Sequence, residues 1–202
     1  TGETKDLGLP PSEVTIAETL KNHGYKTGLI GKWHLGVAPQ FHPLEAGFDV
    51  FHGFIGGNID YHSHYDNEAI YDWWHNKDSI FEPGYATDLI TQHSVDFIRE
   101  NRFHPFFLLV SYPAPHFPYQ GPNDSAYRFP GVDFTTYGPV EDKRRAYREM
   151  VETMDKGLGE IVEMLREESL TKNTIVVFLS DNGGNSPRDN NGPYFGEKGS
   201  LY

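Results

Sequence analysis

The stretch Lys26-Thr27-Gly28-Leu29-Ile30-Gly31-Lys32-Trp33-His34 joins a short apolar run to two polar side chains. Lys26 to Ile30 predict a short β-strand, and Lys32 and His34 follow on either side of Trp33. On an extended segment, alternate side chains point to the same side, so both are expected to face one point. A lysine and a histidine aimed together can neutralise an oxyanion and move a proton. Taken alone, the pair has a simpler interpretation, in which Lys32 and His34 are two surface residues at the end of a strand.

Two further apolar runs, Phe106 to Tyr112 and Thr174 to Ser180, predict strands covered on both faces. Helices with apolar residues at helical spacing are predicted over 12–24, 87–101 and 140–168, the first capped by Ser12 and ended by Gly24. Between the first and second helices, residues 39–84 form a long irregular excursion with short strands near 48–54 and 70–74. This alternation predicts an α/β fold, a mainly parallel sheet flanked by helices, in one domain across residues 1–202.

Polar residues follow all three strands: Lys32 and His34, then His116, then Asp181 and Asn182. Ligands of open α/β sheets bind beyond the carboxyl ends of the strands, so these five side chains are expected to crowd around one hole at the same rim. Oxygens of an aspartate–asparagine pair suit Ca²⁺ or Mg²⁺, although Asp-Asn-Gly is equally good turn chemistry. Prolines around His116 predict an extended, rigid backbone there, and an ordinary loop histidine is the alternative.

The composition narrows the class of protein. The chain has 202 residues, 37% of them hydrophobic, and no cysteine, which excludes disulfides, thiolate zinc sites and a cysteine nucleophile within it. A formal net charge of −12 without a long basic cluster predicts no nucleic-acid partner. We expect no membrane span, because no apolar run approaches the necessary length.

The segment Gly24 to Gly36 resembles the second sulfatase signature almost letter for letter. Four further segments resemble later blocks of the sulfatase family, in the same order along the chain: residues 114–118, 150–155, 180–184 and 196–200. Gly47-Phe48-Asp49 and Asp60-Tyr61-His62-Ser63-His64 are similar to the branch of arylsulfatases A and B and of N-acetylgalactosamine-6-sulfatase.

The resemblance implies an alkaline-phosphatase-like α/β fold and the hydrolysis of sulfate esters on a sulfated carbohydrate or small molecule. Sulfatases use a formylglycine nucleophile, made from Cys or Ser in a Cys/Ser-x-Pro-x-Arg motif, and a divalent cation that is usually calcium, with magnesium as the alternative. A secreted, periplasmic or lysosomal location is the family expectation.

The resemblance implies a role for each residue of this chain that matches a catalytic or binding residue of the family. Lys32 would bind the sulfate group, and Lys198 would be its second lysine ligand. His34 would contact the formylglycine, and His116 would protonate the leaving oxygen. Asp181 and Asn182 would be two of the metal ligands. Separately from these carried-over roles, we expect the excursion over residues 39–84, with His62 and His64, to line the leaving-group side of the substrate.

The chain departs from the family pattern at the nucleophile. The motif is absent, since Ser186-Pro187-Arg188 lacks the intervening residue. We expect the motif and the first strand upstream of Thr1, and a further subdomain downstream, so that the catalytic domain is incomplete at both ends. The 202-residue chain alone is therefore predicted to be inactive and to expose an unpaired sheet edge. The alternatives are a phosphatase or phosphodiesterase of the same fold, and a non-catalytic binder of sulfate or glycans.

Overall fold

Residues 7–184, 192, 193 and 196–200 are described by the computed structural model. Contacts divide the chain into two compact units, Thr1–Leu170 and Thr171–Tyr202. The prediction of one catalytic domain across residues 1–202 stays a prediction.

All the strands and α-helices of the described residues lie in the first unit. In chain order these are α1 (Ile16–Asn22), β1 (Lys26–Lys32), β2 (Val50–Phe54), β3 (Trp74–His75), β4 (Asp78–Ser79), α2 (Ala86–Asn101), β5 (Phe106–Ser111) and α3 (Lys143–Glu167). The helices and strands predicted before residue 170 are thus confirmed, with shifted ends. No helix in the described part of the chain has the length and apolar character that crossing a bilayer requires.

The sheet is mainly parallel, in the order β4-β3-β2-β1-β5. β1 runs parallel to β2 on one side and to β5 on the other, with Gly31 opposite both Gly53 and Ser111. β3 and β4 add an antiparallel pair at the β2 side. The carboxyl ends of β2, β1 and β5 therefore meet at one edge, which confirms the predicted α/β arrangement.

The central strand β1 is buried on both faces, as its apolar run predicted. Leu29 packs with Ala17 of α1 and Phe51 of β2, whereas Ile30 packs with Ile90 of α2. Successive side chains of a strand point to opposite faces, so one short run supplies both layers of the core.

Close approach of the strands requires glycine at the end of β1. Gly31 has φ +114°, and a Cβ there would lie 2.1 Å from the carbonyl oxygen of Ser111 on β5. Gly53 of β2 has φ +149°, and a Cβ there would lie 2.1 Å from the carbonyl oxygen of Gly31. The backbones leading to the strand ends are thus held together without intervening side chains.

Helix α1 begins later than predicted, and Thr15 rather than Ser12 is its N-cap. The Thr15 hydroxyl accepts from the Glu18 N–H at 3.0 Å, and the Glu18 carboxylate accepts from the Thr15 N–H at 2.8 Å. This reciprocal capping box satisfies two N–H groups at once, whereas a lone serine cap would satisfy one.

The strand predicted over residues 174–180 is absent, and this prediction was wrong. The segment carries no ladder hydrogen bonds in the described part of the chain. Its side chains are exposed, with Ile175 at 91% and Phe178 at 70%. An apolar run becomes a buried strand only when another strand lies at hydrogen-bonding distance, and composition does not supply that partner.

Candidate active site

Lys32 and His34 lie where β1 ends, on either side of an anchored tryptophan. Trp33 is buried, its N–H donates to the carbonyl of Phe54 at 2.9 Å, and its Nε1–H donates to the carbonyl of Phe41 at 2.8 Å. Lys32 is half-buried, and His34 is exposed. The tryptophan therefore fixes the backbone from which both polar side chains extend.

The backbone at His34 is not extended, contrary to the sequence-based premise. His34 has φ +59°, in the left-handed region, and its N–H donates to the carbonyl of Ile55 at 3.0 Å. The ladder with β2 continues past Lys32 while the chain turns. Alternation along an extended strand is thus not what orients His34.

His116 follows the neighbouring strand β5 at the same edge of the sheet. The backbone is a turn rather than the predicted extended segment, because the His116 N–H donates to the carbonyl of Pro113 at 2.8 Å. His116 Nδ1 lies 2.7 Å from the carbonyl oxygen of Phe117. A carbonyl only accepts, so Nδ1 carries the proton and Nε2 is the nitrogen that can exchange one with a ligand.

A buried tyrosine holds the backbone of His116. The Tyr61 hydroxyl donates to the His116 carbonyl at 2.9 Å, and the Tyr61 N–H donates to Gln120 Oε1 at 3.0 Å. Burial raises the pKa of Tyr61 well above its usual value, so the hydroxyl remains a donor. The excursion after β2 therefore reaches across to position a residue that follows β5.

Two carboxylates organise this excursion, and the sequence alone assigned neither of them a role. Asp60 accepts from the backbone N–H groups of His62 and Ser63 at 2.9 Å, and of Tyr127 and Arg128 at 2.9 and 3.0 Å. Local turn chemistry at Asp60 is readable from the sequence, but the bonds to residues 127 and 128 are not.

Asp72 is the second of these carboxylates. It accepts from the N–H groups of Ile55 and Gly56 at 3.0 and 2.8 Å, and from Trp74 Nε1–H at 2.6 Å. Burial raises the pKa of Asp72, although those three donors oppose the rise. It thereby fixes the turn directly after β2, which adjoins His34 through Ile55.

The two histidines expected on the substrate side are held inside this excursion. His62 is half-buried, with Nε2 3.1 Å from the carbonyl oxygen of Gly121. His64 is 1% exposed, and its Nε2 lies 3.1 Å from the carbonyl oxygen of Gly84. His64 therefore packs the loop, and we leave it out of the proposed site.

Three predicted site residues, Asp181, Asn182 and Lys198, lie in the second unit. Asn182 Nδ2 lies 3.2 Å from Asp181 Oδ1, and both side chains are exposed. The backbone N–H of Lys198 donates to the carbonyl of Gly184 at 2.8 Å, which joins the lysine segment to the turn after Asn182. One carboxylate and one amide fit the oxygen chemistry of Ca²⁺ or Mg²⁺ and supply part of the ligands that such an ion needs. The 186–188 segment lies outside the described residues.

A sequence profile of the family described as Sulfatase matches residues 2–202. This chain belongs to the sulfatase family. N-acetylgalactosamine-6-sulfatase of Homo sapiens is 34% identical to this sulfatase chain, over 96% of the chain and 38% of the human protein. Arylsulfatase J of Mus musculus is 31% identical, over 96% of the chain and 33% of the relative. The sulfatase chain thus spans well under half the length of these relatives.

Solved structures share the fold of this chain. Ps i-CgsB in complex with k-i-k-neocarrahexaose superposes with a TM-score of 0.79 at 34% identity, over 93% of this sulfatase chain and 44% of that one. The PsFucS1 sulfatase from Pseudoalteromonas sp. gives a TM-score of 0.66 at 28% identity, over 94% and 42%. The predicted resemblance and alkaline-phosphatase-like fold class are confirmed.

Proposed function

We propose that this chain is the part of a sulfatase that recognises and protonates a sulfate ester of a carbohydrate. The observation that carries the proposal is the placement of Lys32 at the carboxyl end of β1 and of His116 beyond the carboxyl end of β5, the adjacent parallel strand. Family membership supports the reaction, and the relatives' printed names and the neocarrahexaose complex support a sugar as its substrate.

Lys32 is proposed to bind the sulfate group. A sulfate ester gains negative charge on its oxygens as the S–O bond to the alcohol breaks, and a fixed ammonium stabilises that charge. The buried Trp33 next to it holds the lysine backbone in place before substrate arrives, so less reorganisation is needed during the reaction. Lys198 is proposed as a second cation for the same group.

His116 is proposed as the general acid. When both ring nitrogens carry protons, Nδ1–H stays on the Phe117 carbonyl and Nε2–H can be given to the leaving alcohol oxygen. His34 is proposed to accept and return a proton at the nucleophile.

A formylglycine in a part of the protein outside this chain, and a divalent cation, are proposed to complete the site. Bound, they supply the attacking oxygen and a Lewis acid at the sulfate oxygens. Asp181 and Asn182 would hold the cation through two oxygens, and calcium is the ion that we propose. Since the chain contains no Cys/Ser-x-Pro-x-Arg motif, we propose that it does not turn over sulfate esters by itself.

The test is sulfate release from sulfated oligosaccharides by the enzyme expressed with the flanking sequence of its gene. Lys32→Ala and His116→Ala should each lower kcat/KM by at least about 100-fold. Lys77→Ala and His104→Ala, at exposed positions, are the matched controls and should keep full activity. Normal activity in His116→Ala would overturn the acid assignment, and a preference for phosphate esters would favour the phosphatase alternative.

A further inference from the structure

A buried histidine on β2 faces a carboxylate and a second histidine from two other parts of the first unit. His52 lies on β2, Glu82 on the segment before α2, and His93 on α2. His52 Nε2 lies 2.9 Å from Glu82 Oε2, and His93 Nε2 lies 2.9 Å from Glu82 Oε1. None of the three takes part in the proposed hydrolysis.

We propose that His52, Glu82 and His93 form a binding site for a zinc-type divalent metal ion. One ligand atom from each residue lies within 4.8 Å of the other two, and no other such group of three occurs among the described residues. Two imidazole nitrogens and one carboxylate are a common donor set for Zn²⁺. Calcium prefers oxygen, so this site differs in chemistry from the Asp181 and Asn182 pair.

The surroundings suit a site of this kind. The Trp73 Nε1–H donates to Glu82 Oε2 at 2.8 Å and fixes the carboxylate, as the hydrogen bonds behind metal ligands do. The His52 side chain is 9% exposed, whereas those of Glu82 and His93 are 25% and 22% exposed. The partial exposure of Glu82 and His93 gives an ion an entry path from solvent.

Binding requires the two imidazoles to separate. Their rings are stacked with centroids 3.5 Å apart and planes 20° from parallel. An ion lies in the plane of each imidazole that binds it, so two such rings on a tetrahedral ion have centroids about 5 Å apart. His93, which is partly exposed, is the ring that must turn. Each neutral imidazole then carries its proton on Nδ1, and the hydrogen bonds to Glu82 are replaced by metal–ligand bonds.

An ion at this position would connect three elements that the chain separates by 30 and 11 residues. It would join β2, α2 and the segment between residues 82 and 84. The Gly84 carbonyl of that segment is bonded to His64. The consequence is a more stable first unit, independent of whether the proposed hydrolysis is correct.

The experiment is a zinc titration of the metal-stripped 202-residue chain by calorimetry, with thermal unfolding in parallel. We expect one ion per chain at micromolar Zn²⁺, a higher Tm, no competition by Ca²⁺, and changed ring NMR signals of His52 and His93. His93→Gln and Glu82→Gln should each weaken binding by about 100-fold or more. His104→Ala and Asp181→Ala should bind as the parent does.

Absence of saturable binding by the parent chain would overturn the proposal. Unchanged affinity in both His93→Gln and Glu82→Gln would overturn it too, and so would loss of binding in Asp181→Ala alone. Circular dichroism of the apo variants separates loss of a ligand from loss of the fold. The readout is metal binding, so a failure here leaves the proposed sulfatase function standing.

Discussion

The strand β1 is buried although Leu29 and Ile30 are its only large apolar residues, whereas the more apolar segment 174–180 is exposed. In β1, Leu29 and Ile30 are each 1% exposed, between parallel partners on both sides. In the second segment, Val177 and Leu179 are each 72% exposed, with no ladder in the described part of the chain. The difference shows that burial is set by the partners that a run of apolar residues finds rather than by the run itself.

Gly31→Ala is the largest expected perturbation of the better-packed region. The new Cβ would lie 2.1 Å from the Ser111 carbonyl oxygen at a φ of +114°, so β1 and β5 would have to separate. We expect a loss of at least about 4 kcal/mol in the free energy of unfolding, measured by urea denaturation.

Gly24→Ala is the matched control for that substitution. Gly24 also has a positive φ, +84°, but a Cβ there would meet no atom within 4 Å. Its cost should be about 1 kcal/mol, from the backbone conformation alone. Equal losses in the two variants would show that the close approach of the strands is unimportant.

Truncation of one apolar side chain in each region tests the comparison directly. Leu29→Ala should cost about 3 kcal/mol, because it opens a cavity in the core. Val177→Ala should change the free energy of unfolding by no more than about 0.5 kcal/mol, since that side chain is already in water. A large loss in Val177→Ala would mean that the segment is buried in solution.

Acid should weaken the first unit through its buried histidines. Burial is the main cause that lowers the pKa of His64 to about 4, against a contrary pull from the Gly84 carbonyl, Asp60 and Glu82. The unfolded chain therefore binds this proton first, and stability is lost as the pH falls from about 6.5 toward 4. At pH 5.5 the loss from His64 should be about 1.4 kcal/mol relative to pH 8 in a metal-free buffer.

His64→Asn should remove that part of the pH dependence, because asparagine tolerates the left-handed backbone, φ +62°, and does not titrate. Thermal unfolding between pH 8 and pH 5 measures it. His104→Asn, at an exposed loop position, is the control for the replacement of a histidine by asparagine. Identical profiles for the parent and His64→Asn would contradict the burial argument.

The smallest expected effect concerns the helix beside β1. Thr15→Ala removes the capping box of α1 and should cost about 1 kcal/mol. Ser12→Ala should have no measurable effect, because Ser12 lies outside the helix. If Ser12→Ala lowered the free energy of unfolding as much as Thr15→Ala does, Ser12 would be a cap of α1, as the sequence predicted.

The sequence predicted the order of the elements and the strand ends that carry Lys32 and His116. It did so because apolar periodicity and the position of polar residues after a strand are local signals. The prediction of a strand over residues 174–180 was wrong because the pairing of one β-strand with another is not a local property of the sequence. Asp72 and the His52, Glu82 and His93 group were missed for the same reason, since their partners are distant in sequence.

The hydrogen bond from Tyr61 to the His116 carbonyl links the shape of the substrate-side loop to the position of the proposed proton donor. Without this bond, evolution could change the two separately. Tyr61 belongs to the excursion that was predicted to lie on the leaving-group side of the substrate, and its hydroxyl holds the backbone of the proposed proton donor. A mutation that reshapes this loop for a different sugar would also shift the acid. Divergence toward new substrates should therefore favour changes that spare Tyr61 while altering the side chains around it.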